Sequence, residues 1–177
     1  MRDTRIGLLP LYVELYDKTV PQVRPQIDEF HQKVVRALKG AQLTVHTSSV
    51  CRTKKEFQSA VQAFAGADVD AIVTLHLAYS PSLESEDALK NVDCPILILD
   101  TTPSYCFDQS TDEAQIMLNH GIHGVQDMCN LLKRNNKVYS VFAGHIEHSD
   151  VIARIKKAAD MAKAAKRFKT ARVGIIG

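Results

Sequence analysis

Two histidines set three apart, each followed by glycine, open an apolar helical pattern: residues 119–132 read NHGIHGVQDMCNLL. At that spacing His120 and His123 share one face of a helix. A neutral imidazole offers one donor and one acceptor, which suits sugar hydroxyls, and two imidazoles on one face can also ligate a metal. Zinc sites take three or four protein ligands, and no HExxH or HxH companion accompanies the pair, so no metal is assigned to this chain. Gly121 and Gly124 cost a helix roughly 1 kcal/mol each relative to alanine. Either a ligand or a neighbouring chain comes close to this turn, or the glycines pack the helix and leave the histidines exposed.

The elements that must carry these residues are short apolar runs alternating with helical patterns. RIGLLPL (5–11), QLTVHT (42–47), DAIVTLHL (70–77), PILILD (95–100), KVYSVFA (137–143) and RVGIIG (172–177) read as strands. Between them, Val23, Ile27, Phe30, Val34 and Leu38 recur at helical spacing until Gly40. Thr53 and Glu56 form a capping-box pattern ahead of Phe57, Val61 and Phe64. Ser80–Pro81 suits an N-cap and first helical residue. Leu118, Ile122, Val125, Cys129 and Leu132 form a helix stripe, and Ser149 can cap a helix running to about 167. Near-continuous apolar strands alternating with helices predict a doubly wound parallel sheet, a flavodoxin-like or Rossmann-like three-layer α/β domain. The domain is expected over 1–170. A strand at 171–177 with no helix to cover it is either an edge strand or, the expected reading, the first strand of a following domain, the remainder of which is absent.

In open sheets of this kind ligands bind beyond the carboxyl ends of the strands. That edge gathers Leu11 and Tyr12, His76, Asp100, then His145, Glu147 and His148, with His120 and His123 just past the long loop 101–112. Five of the seven histidines map there. His76, Asp100 and His145 are candidate rim residues, and each has a structural alternative: a hydrogen-bonded strand-end histidine, a polar strand exit, a surface loop. Several classes fall away. A balance of 22 basic and 20 acidic side chains, net charge +2, gives no footprint for nucleic acid. The apolar run near the amino terminus is too short to span a membrane. Four dispersed cysteines without a CxxC pair read as reduced thiols in the cytoplasm. No GxGxxG, GxxxxGK[ST] or GxSxG occurs.

IGLLPLY near the start, LHLAYSP at 75–81, LDTTP at 99–103, LNHGIHGVQDMCNLL at 118–132 and AGHIEHSDVIARI at 143–155 together resemble the amino-terminal domain of the L-fucose isomerase and L-arabinose isomerase superfamily, on its fucose-isomerase-like branch. The resemblance covers essentially the whole chain. It implies a homo-oligomeric aldose–ketose isomerase, an intramolecular oxidoreductase, using manganese or another divalent metal. The metal and catalytic carboxylates are implied to lie in later domains, so this chain alone is expected to be inactive and to bind no metal. The amino-terminal domain is implied to complete the aldose or ketose site of a neighbouring subunit, with Leu11, Tyr12 and His123 at the sugar. Leu9 and His120 stand where arabinose isomerases carry glutamines, so His120 joins the expected substrate-binding set. A stand-alone small-molecule-binding module of flavodoxin-like shape is the alternative.

Overall fold

The structure is a computed structural model and describes residues 2–172 and 174. Five parallel strands form one sheet: β1 (Arg5–Leu11), β2 (Thr44–Thr47), β3 (Ala71–His76), β4 (Ile96–Asp100) and β5 (Tyr139–Ala143), in the order β2-β1-β3-β4-β5. Among the described residues seven α-helices accompany them: α1 (Glu14–Thr19), α2 (Arg24–Gly40), α3 (Lys54–Gly66), α4 (Glu86–Leu89), α5 (Glu113–Leu118), α6 (Gly121–Arg134) and α7 (Val151–Thr170). This is the expected doubly wound α/β domain, and its order is the flavodoxin-like one, with the switch point between β1 and β3.

Strand side chains alternate between two cores. Ile6, Leu8, Val73, Leu75, Leu97 and Leu99 pack with α2 and α7 through Ile27, Val34, Leu38 and Ile155. Leu9, Leu11, Ile72, Ile96 and Ile98 pack with α3, α4 and α6 through Phe57, Phe64, Leu89, Met128 and Leu132. The central strands β1 and β3 are buried on both faces, which is why their sequences carry almost no polar residue. The edge strand β5 is exposed at Ser140, Val141 and Ala143 and half-buried at Tyr139 and Phe142. At the amino edge, Arg2 binds Asp70 through two nitrogens at 2.6 and 2.8 Å, and the same carboxylate accepts the Arg5 amide at 2.9 Å. The capping box is present: Glu56 accepts the Thr53 amide at 2.9 Å and Thr53 Oγ1 accepts the Glu56 amide at 3.4 Å.

Three local expectations change. Ser80–Pro81 does not start an α-helix, because the Ser80 hydroxyl is engaged by His76; a 3-10 turn begins at Ser82 and leads into the short α4. The stripe drawn from Leu118 to Leu132 is broken at Asn119–His120, so α6 starts afresh and its buried face is Gly121, Gly124, Val125, Met128, Leu131 and Leu132, with Ile122 turned outward. Ser149 accepts the Val151 amide at 3.2 Å, but the cap position of α7 is Asp150. The expected strand at 171–177 lies largely outside the described residues.

Candidate functional site

The carboxyl ends of the strands and the amino ends of α6 and α7 share one rim. At the switch point the exits of β1 and β3 are joined by backbone bonds, Leu77 N to Leu11 O at 2.9 Å and Val13 N to Tyr79 O at 3.1 Å. Leu11 is wholly buried there. Tyr12 is 2% exposed, packed edge-on against Tyr16, with the Arg24 guanidinium 5.6 Å from its ring centre. Its hydroxyl has no hydrogen-bond partner among the described residues, and burial pushes its pKa up to about 12. Asp17 accepts from both Arg24, at 2.9 Å, and Arg52, at 2.6 Å, and Arg52 continues to Glu56 at 2.7 Å. Burial opposes ionisation of Glu56, but Arg52 and two backbone amides outweigh it and hold the carboxyl down to about 2.

The β3 exit is built around His76, 2% exposed. Its Nδ1 lies 2.8 Å from the Ser80 hydroxyl, and burial pushes its pKa down to about 3. Ala78, between them, is buried with φ +49°, a left-handed conformation that costs a non-glycine residue roughly 1–2 kcal/mol. The glycines of α6 meet this turn. A Cβ on Gly121 would sit 2.7 Å from the His76 carbonyl oxygen, and one on Gly124 would sit 2.4 Å from Ser80 Oγ and 2.7 Å from His76 Nδ1. The close approach that the two glycines require is therefore made by this chain's own turn.

His120 and His123 fall on the other side of that helix start. Gly121 and Gly124 are buried, His120 is half-buried and His123 exposed. The two imidazoles stand edge to face with centres 4.9 Å apart. Asn119, which the sequence reading passed over, is buried and holds the loop 101–112: it accepts the Ser104 amide at 3.0 Å and donates to Ser104 Oγ at 3.1 Å and to the Gln115 carbonyl at 2.7 Å. The next residue, Tyr105, stacks 4.3 Å from the His148 ring and 5.5 Å from His145. One loop thus links the α6 histidines to the β5-exit histidines. Asp100 ends β4 half-buried, its carboxyl raised by desolvation, while its carbonyl accepts the Gly144 amide at 3.0 Å. Leu11, His76 and Tyr12 lie beneath the rim; His120, His123 and His145 line it.

A profile of the L-arabinose isomerase N-terminal domain matches residues 11–170. The chain belongs to that family. The match favours the arabinose-isomerase side of the superfamily over the fucose-isomerase branch expected from the motifs. It makes the domain one of a sugar-isomerase family, and its span takes in β1's exit, the His76 turn, the α6 histidines and the whole of the rim. A comparison with curated proteins gave no match. No helix among the described residues is long and apolar enough to cross a membrane. Among those residues one group of three side chains has the reach of a metal site, His145, Glu147 and His148, with ligand atoms within 4.8 Å of one another. Two imidazoles and one carboxylate are a poor match to the manganese that the resemblance implies. Manganese prefers carboxylate and water oxygens, whereas here the one carboxylate is held by Lys33 at 2.8 Å.

Proposed function

We propose that this chain is the amino-terminal domain of an aldose–ketose isomerase acting on an L-arabinose- or L-fucose-type sugar, and that His120 and His123 read sugar hydroxyls in the site of a neighbouring subunit. The observation that carries this reading is the segregation on α6: glycines locked to the β3 turn on one side, two imidazoles presented at the rim on the other. Two rings 4.9 Å apart can address adjacent hydroxyls, each as donor or acceptor. Tyr12 and Leu11 form the floor on which the exit of β1 is fixed. The divalent metal, and the carboxylate that moves the proton between C1 and C2, belong to residues outside this chain. Four free thiols support a reducing, cytoplasmic setting.

The test is His123→Ala in the assembled isomerase. His123 is exposed, so the substitution should leave the unfolding midpoint unchanged within about 0.5 kcal/mol. Loss of a hydroxyl contact costs about 0.5–1.5 kcal/mol, so kcat/KM should fall several-fold, and His123→Gln should recover part of it. A steep fall in Tm with activity per folded molecule intact would make the histidine structural and overturn the reading.

A further inference from the structure

We propose that His145, Glu147 and His148 form a binding site for a zinc-class divalent cation at the exit of β5. The three ligand atoms lie within 4.8 Å of one another on a four-residue turn. A tetrahedral zinc with ligands at 2.0–2.1 Å places them roughly 3.3 Å apart. The closing needed is therefore at most about 1.5 Å, and Glu147 and His148 are both exposed. Two imidazoles and one carboxylate, with water in the fourth position, are a recurrent zinc set.

The tautomer of His145 already suits this. Its Nδ1 accepts the Glu147 amide at 3.2 Å, a long bond, so the lone pair is at Nδ1 and the proton at Nε2. The cation takes that lone pair in place of the amide, and Nε2–H remains free to donate. His145 and His148 lie 4.8 Å apart, ring centre to centre, tilted by 34°, and Tyr105 covers His148 at 4.3 Å. The Tyr105 ring carries the effect onward: a cation that fixes His148 also fixes the stacking face of the loop 101–112. Lys33 opposes binding. Its ammonium holds Glu147 Oε2 at 2.8 Å, leaving one carboxylate oxygen free and placing a like charge beside the cation.

These features give the site two signatures of opposite sign. Calorimetric titration of the purified chain with zinc chloride should show one saturable site. His148→Ala and His145→Ala should each weaken it at least about tenfold, as loss of a metal's direct or supporting ligands does. Lys33→Ala should tighten it about threefold, since a nearby like charge is removed at high effective dielectric. The double substitution of His120 and His123 by alanine should leave zinc affinity unchanged. Circular dichroism confirms folding of each variant, and cobalt supplies a second readout: visible absorption bands of a low-coordinate site that disappear in His148→Ala. The chain has no tryptophan and five tyrosines, so the part of the quenching of tyrosine emission by cobalt that is lost in Tyr105→Phe reports the stacked ring. No saturable binding, binding that survives both single histidine substitutions, or binding that is lost with His120 and His123 instead, overturns the proposal.

Discussion

Buried at the exit of β3, the His76 imidazole stays neutral because its surroundings cannot solvate a charge; its pKa lies near 3 in the folded chain and near 6.5 when unfolded. Between those values the unfolded chain binds the extra proton. The contribution is therefore fully present above about pH 6.5 and is lost as the pH falls towards 3. His31, buried among the α2 side chains and also lowered by desolvation, acts in the same direction. Unfolding free energy measured by urea titration should fall from pH 7 to pH 5 with a slope approaching about 1.4 kcal/mol per pH unit from His76, with His31 adding in the same direction. His76→Gln should remove one proton's worth of that slope; identical slopes in the two proteins would clear His76 of the role. The position of His76 at a strand end was legible in the sequence. Its bond to Ser80 was not, because a serine before a proline reads equally well as a helix cap. The tie from Asn119 to Ser104 and the Asp17–Arg52 pair, set 35 residues apart, carry no local pattern at all and emerge only when the chain closes.

At the level of elements, the first turn of α6 is held against the β3 exit by backbone and glycine, while Val125, Met128 and Leu132 pack its later turns on the sheet. Gly124→Ala pushes a methyl group into Ser80 and His76 and should cost about 1–3 kcal/mol, as overpacking does. Gly66, at the end of α3, has nothing within 4 Å of where a Cβ would stand, and Gly66→Ala should stabilise by about 0.4–1 kcal/mol. Denaturation midpoints decide both; if Gly124→Ala matched the parent protein, the packing account of this glycine would fail. Strands were the most legible elements, since β1, β3 and β4 are buried on both faces and their apolar runs begin and end within a residue or so of the hydrogen-bonded ladder. α1 and α5 were missed because each is six residues long and shows less than two turns of periodicity. The capping box before α3 was readable because its chemistry is local: Thr53 and Glu56 are both donor and acceptor to each other.

For the molecule as a whole, large exposed apolar residues occur on several faces, Leu15, Leu83, Met161 and Phe168 among them, and one group lies at the rim. Tyr105, Phe107, Ile116 and Ile122 cluster in sequence around the rim loop and the start of α6, and Val138 and Val141 lie on the open edge at β5. Such surface is costly to leave in water and marks contact regions. Sedimentation velocity over a hundredfold range of concentration should therefore show association that weakens in Ile122→Ser. A protein that stays monomeric throughout that range would argue against a homo-oligomer built through this rim. The alternation of strands with helices and the two-sided core were set by hydrophobic pattern and so could be read in advance; the strand order was not, because flavodoxin-like and Rossmann-like sheets share that pattern. The rim surface could not, because what makes it is the absence of burial, and no periodicity records that.

The start of α6 keeps two kinds of information in one turn. Residues 121 and 124 specify where the helix lies, and residues 120 and 123 specify what it offers outward. Because the two sets interleave without sharing atoms, the outward pair can be rewritten while the helix stays where it is. With the sugar-reading role proposed for residues 120 and 123, a family built on this arrangement could change the sugar it prefers by two substitutions, with no detour through an unstable intermediate.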